Sequence, residues 1–127
     1  MNRAIFLAAL VLLAAPASAL DCRSPMTQRD MNQCASDEYR AADAQLNETY
    51  GELMGMLGAD QRHKLVAAER GWISERDAHC RSETAENAGG SMHPMLYMGC
   101  LTQMTMARTR MLRAEITCRR NSEICHN

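Results

Sequence analysis

Aromatic side chains are scarce in this chain: one Trp, three Tyr and one Phe make up 4% of its 127 residues. Phe6 falls in an apolar N-terminal run, so the remainder must build its core chiefly from Leu, Ala and Met. An excess of charge of one sign is also missing. Fourteen basic against fifteen acidic residues leave a net charge of −1, which provides no field to hold nucleic acid. No alternation of apolar and polar residues is long enough to read as a strand. The chain has no H-E-x-x-H, no G-x-S-x-G, no phosphate-cradling glycine loop and no C-x-x-C pair, so neither hydrolytic nor zinc chemistry has a motif to rest on. His63, His79, His93 and His126 are scattered. No catalytic residue, no cofactor and no metal ligand is expected, and the chain does not read as an enzyme.

The N-terminal segment reads as an export signal: a basic Arg3, an apolar run from Ala4 to Ala15, and the small-residue site Ala17-Ser18-Ala19. The run of about 12 residues is shorter than the roughly 20 that cross a bilayer, and nothing later in the chain is apolar enough to try. Residues 1–19 are therefore expected to be a signal peptide cleaved after Ala19, leaving no stable membrane insertion. Residues 20–127 are expected to form one domain in the periplasm or outside the cell, with a net charge of about −2 once Arg3 is gone.

Six cysteines lie beyond that site: Cys22, Cys34, Cys80, Cys100, Cys118 and Cys125. In an exported chain they read as three disulfides, which leaves no free thiol for catalysis. The periodicity reads as three helices. The first starts at a Thr27/Asp30 capping box, runs to about Leu57, and carries the stripe Ala35, Tyr39, Ala42, Leu46, Tyr50, Leu53 and Leu57. Gly58-Ala59-Asp60 ends it and caps the next. The second runs from about Gln61 to Thr84 with Leu65, Ala68, Trp72, Arg76 and Cys80 inward. The third is capped by Ser91, has Pro94 in its first turn, and runs to about Ile116 through Tyr97, Leu101, Met104, Arg108 and Met111. The expected fold is all-α, an antiparallel up-down-up three-helix bundle or a hairpin plus helix, stapled by disulfides, with a short polar tail.

A disulfide needs α-carbons about 5.5 Å apart. Cys34 lies about 25 residues before the first turn and Cys80 about 21 after it, so on adjacent antiparallel helices they reach one level, and Cys22 and Cys100 come to the same end. Cys118 is expected to pair with Cys125. Within the other four, Cys34–Cys80 with Cys22–Cys100 is favoured, although three arrangements are possible and the sequence does not choose among them.

Two polar constellations stand out. Asp43, Arg70, Arg76, Asp77 and Arg108 fall on faces that should meet, where charges persist only if paired. They read as a structural network fixing helix register, with a ligand site built from the same residues as the alternative. The turn Gly89, Gly90, Ser91, Met92 and His93 is the candidate partner-binding protrusion, with Ser91 and His93 as donors and Cys80 and Cys100 holding its base; the alternative is an ordinary helix connection whose glycines satisfy backbone geometry. Met92, His93, Met95 and Met98 also bring soft ligands within two turns, as a copper(I) site wants, although a Met stripe at this spacing equally packs a groove.

The ordered set Cys34-Ala35, Tyr39, Ala42-Asp43, Leu46-Asn47, Tyr50, Leu53, Ala68, Arg70, Trp72, Arg76-Asp77, Cys80, Gly89-Gly90-Ser91, Cys100-Leu101, Thr105 and Arg108 resembles the LprI-type, or lysozyme inhibitor-like, family of small secreted bacterial proteins. The resemblance covers about residues 22–115, leaving a Cys-containing tail over 116–127. Cys118 and Cys125 depart from the family's usual four cysteines and suggest a pinned tail. What the resemblance implies is a helical periplasmic or secreted binding protein that blocks a lysozyme, a protein partner. The alternatives are a periplasmic copper-binding protein and a structural envelope protein with a secreted or membrane partner.

Overall fold

The computed structural model describes residues 20–121. Three helices account for most of them: α1, Gln28–Gly55; α2, Ala59–Glu83; and α3, His93–Arg120, with a single 3-10 turn, Ala85–Asn87, between the last two. No strand occurs among the described residues, and the expected export signal, residues 1–19, lies outside them.

Local chemistry fixes the helix ends. Thr27 caps α1 through a reciprocal pair: the Asp30 amide donates to Thr27 Oγ1 at 3.1 Å, and the Thr27 amide donates to Asp30 Oδ2 at 3.1 Å. Replacing Thr27 by alanine should lower stability by about 1 kcal/mol, the usual worth of such a cap, which a urea titration of the oxidised protein would register. Gly58 caps α2 without a side chain. Pro94 sits in the first turn of α3 as expected, but Ser91 does not cap that helix. The cap position is Met92 and no side chain bonds there. The far end also differs, because α3 continues past Ile116 to Arg120 and carries Cys118 within its last turns.

α1 and α3 run parallel in close contact, while α2 runs antiparallel and leans on α3 rather than on α1. Gln28 reaches Met95 at one end of the pair, 3.9 Å from its sulfur, and Arg120 reaches Glu52 at the other at 2.5 Å. The close approach follows from small residues on facing stripes, Ala35, Ala42 and Thr49 on α1 against Thr105 and Thr109 on α3, all buried. Thr49 and Thr109 each donate their hydroxyl to the carbonyl four residues back, at 2.8 and 2.9 Å, so neither carries an unmet polar group inward.

The apolar core sits toward the α1–α2 connection, where Leu46, Leu53 and Leu57 meet Leu112 and Ile116, with Tyr50, Leu65 and Trp72 packed against them. The α1 stripe is as expected, with its two tyrosines only half-buried. On α3 Leu101 is buried as expected, but beyond it the inward face is rotated about one residue: Thr105, Thr109 and Leu112 are buried, and Met111 is 63% exposed. On α2, Ala68 is exposed and its neighbour Glu69 is buried. Both shifts have one cause. The faces turn toward close helix contacts and ion pairs, and apolar character alone does not locate those.

Two disulfides close the other end, Cys22–Cys34 and Cys80–Cys100, with Cα separations of 5.5 and 5.7 Å. They correct the favoured arrangement of Cys34–Cys80 and Cys22–Cys100. Cys34 and Cys80 do lie at similar levels, but α1 and α2 are not close backbone neighbours, and a disulfide needs close backbones. Instead the Arg23–Met26 segment folds Cys22 back onto α1. No described cysteine is free. Cys118 is disulfide-bonded as well, and its expected partner Cys125 lies outside the described residues.

Candidate functional site

Glu69, Trp72 and Arg76 are spaced three and four apart on α2, which places them on one helical face directed at α3. Arg76, only 6% exposed, donates from Nε to Asp77 Oδ1 at 2.9 Å and from Nη1 to Thr105 Oγ1 at 3.2 Å. Arg108 donates to Glu69 Oε2 from Nε at 2.9 Å, and its Nη2 lies 2.8 Å from the same oxygen. The Trp72 ring lies between the two guanidinium groups, 5.2 Å from Arg76 and 5.6 Å from Arg108. Arg76 also faces the Tyr39 ring at 5.6 Å. An electron-rich ring between two cations, each with its own carboxylate, is a favourable order of charge in a partly dry layer. Burial pushes the Tyr39 phenol above its ordinary value, with the nearby Arg76 guanidinium opposing that rise.

Of the five residues expected in a polar network, the structure thus places Arg76, Asp77 and Arg108 within two linked ion pairs. Asp43 and Arg70 stand apart from both pairs. Asp43 accepts from Asn47 Nδ2 at 3.2 Å, and Arg70 is exposed. Sequence reasoning missed Glu69 because Ala68 was the apolar choice at that level of the helix. The spacing of Glu69 from Trp72 and Arg76 was the available signal.

Asp43, Asn47 and Tyr50 on α1 and Glu69, Arg70 and Arg76 on α2 are drawn together in another way. They line a groove of about 330 Å³ between the two helices, floored by Leu46, Val66 and Ile73. The groove exists because α2 rests on α3, leaving its α1-facing side incompletely covered.

The second constellation is the turn before α3. Gly89 has φ of +82°, a backbone state that glycine adopts without strain. The turn is braced on three sides: Gly90 and His93 amides close local hydrogen bonds to Asn87 and Gly90 carbonyls, Asn32 of α1 donates to the Ser91 carbonyl at 3.0 Å, and Cys80–Cys100 ties its base. Gly89, Gly90, Ser91 and Met92 are exposed, but His93 is half-buried. Thr84 spends its hydroxyl proton on the Cys80 carbonyl at 2.8 Å, so His93 Nε2, 3.2 Å away, must carry the proton and donate to Thr84 Oγ1. The His93 ring also stacks on Tyr97, with centroids 6.0 Å apart. Of the two expected donors, Ser91 is presented outward and His93 is engaged from below.

In the methionine cluster, Met92 is exposed and Met95 and Met98 are half-buried. Among the described residues no three His, Cys, Asp or Glu side chains converge as metal ligands. No helix among them is long and apolar enough to cross a membrane.

The fold and these features define a small, disulfide-pinned, all-helical domain whose inter-helix layer is charged and aromatic. The chain belongs to the lysozyme inhibitor LprI family, whose model matches residues 21–112 and so takes in both described disulfides, the charged layer and the turn. It is 39% identical over 124 residues to the uncharacterized protein R02472 of Rhizobium meliloti (strain 1021), covering 84% of this chain and 89% of the relative. It is 27% identical over 108 residues to the uncharacterized protein YecT of Escherichia coli (strain K12), covering 73% of this chain and 64% of the relative. No solved structure matches the chain.

Proposed function

We propose that this protein is a secreted or periplasmic, non-catalytic binding protein that inhibits a lysozyme by occluding its cleft with the Gly89–His93 turn. The observation that carries the reading is membership of the lysozyme inhibitor LprI family across most of the domain. Family members are read as secreted or periplasmic, which agrees with an oxidised, disulfide-held chain. Lysozyme cleaves with two carboxyl groups that flank the sugar bond. A blocker therefore needs a stiff tip that offers hydrogen-bond donors to that pair. The turn supports this reading on both counts: it is braced by the Cys80–Cys100 bond and by Asn32, and the Ser91 hydroxyl is exposed. In this scheme Met92 packs against the rim of the cleft, and His93 holds the turn from beneath.

The test is a cell-wall lysis assay with the oxidised mature protein beside its reduced and alkylated form. Inhibition by the oxidised form alone is expected. Ser91→Glu should then weaken inhibition by about tenfold or more, since it sets a carboxylate against the enzyme's own pair at a cost of about 1.4 kcal/mol or more. The melting temperature should not move, because the Ser91 side chain is exposed. Undiminished inhibition by Ser91→Glu would rule out this turn as the site. Absence of inhibition against every lysozyme class would rule out the function.

A further inference from the structure

The groove between α1 and α2 takes no part in cleft occlusion by the turn. Its volume of about 330 Å³ falls in the range of small-ligand sites. Its charges are nearly all answered from within: Arg76 is paired with Asp77, and Glu69 with Arg108. That leaves Asp43 on one wall and Arg70 on the other, neither in an ion pair with any described residue. The groove lining therefore carries no net charge, and a free anion or cation would meet one like charge for each opposite one.

Glu69 adds an independent indication. The residue is 8% exposed, and Arg108 places both of its N–H groups on one carboxylate oxygen, Oε2. Oε1 accepts no hydrogen bond from the described residues. Among those residues no buried side-chain oxygen is left without a partner, so Oε1 keeps some contact with solvent, and Glu69 is one of the residues that line the groove. It is an acceptor waiting for a neutral donor, because its charge is already matched.

We propose that this groove is a saccharide site, taking a neutral, hydroxyl-rich sugar unit that bears an acetamido group. Vicinal hydroxyls each donate and accept. Asp43 and Glu69 can accept from them, Arg70 can donate to them, and Asn47 can do both. The planar ends of these side chains suit paired hydroxyls as they suit other two-point partners. The Tyr50 ring offers an apolar wall to the C–H face of a pyranose. Leu46, Val66 and Ile73 provide a floor for the acetamido methyl, and Ile73, 40% exposed, is otherwise a large aliphatic left facing water. The groove is open, so a chain of such sugars could pass through it. A protein held on such a glycan would be concentrated where a cell-wall hydrolase works, yet the site stands on the groove alone.

Titration of the isotope-labelled oxidised protein with the N-acetylglucosamine trimer, followed by amide chemical shifts, tests it without any hydrolase, so its result is independent of the lysozyme reading. Saturable shifts confined to the groove walls are expected. Asp43→Ala and Arg70→Ala should each weaken binding by about tenfold, as expected for loss of a hydrogen bond to a charged group, with lysozyme inhibition and melting temperature unchanged. The glucose trimer, lacking acetamido groups, should bind more weakly. No saturable shifts, shifts centred elsewhere, undiminished binding by both variants, or equal binding of the glucose trimer would each overturn the proposal.

Discussion

Glu69→Ala is expected to destabilise the domain by about 3–5 kcal/mol, the range for breaking a buried ion pair by removing one partner. The side chains of Glu69 and Arg108 are only 11% and 13% exposed, so the substitution strands a guanidinium against the Trp72 face with no carboxylate to answer it. A domain of this size has a total stability of about 5–15 kcal/mol, and the variant should therefore melt far below the parent. Urea titration read by fluorescence of the sole tryptophan would measure it, since Trp72 sits between both arginines. The double variant Glu69→Leu with Arg108→Met removes both charges and should recover most of the loss, because apolar replacements of a buried pair are often neutral or better. If the double variant is as weak as the single, then the packing of these side chains, rather than their charge, sets the cost.

Removal of the Cys80–Cys100 bond by a double serine substitution should cost about 3 kcal/mol in the chain-entropy account, given its sequence separation of 20. The effect should exceed that of removing Cys22–Cys34, although the loop lengths are similar, because Cys80 is fully buried and Cys22 is exposed. The apolar core lies toward the α1–α2 connection, and toward the opposite end Leu101 is the one large aliphatic among the buried described residues. Thermal denaturation would give the stability loss. Amide exchange should show protection lost first around Thr84 to Leu96, where the bond anchors the turn, with lysozyme inhibition falling in step. Uniform loss of protection along all three helices would mean that the bond stabilises the domain as a whole and does not particularly hold the turn.

Much of the candidate site was legible in the chain, but unevenly. The glycines of the turn and the capping box at Thr27 were readable because they obey local backbone rules. Arg76, Asp77 and Arg108 were readable because charged residues on an inward face need partners. Glu69 was not, since Ala68 competes for the same place on the helix and is the more apolar. Nor was the groove legible: Asp43 and Arg70 looked like further members of the network, whereas they stand on opposite walls of a gap.

The all-helical character, the number of helices, the α1 stripe and the oxidised state of the described cysteines could all be read from the chain alone, because they follow from periodicity, turn residues and cysteine count. Which helices touch was a matter of packing in three dimensions. Short connections suggested that α1 and α2 would be the close neighbours. Instead the small residues Ala35, Ala42, Thr105 and Thr109 let α1 and α3 approach most closely, with α2 resting on α3. That one packing choice reassigned the disulfides, shifted the inward face of α3, put Glu69 in place of Ala68 on that of α2, and opened the groove. Helix neighbours are selected by how near two backbones can come, and that depends on side chains far apart in the chain, where no local pattern records it.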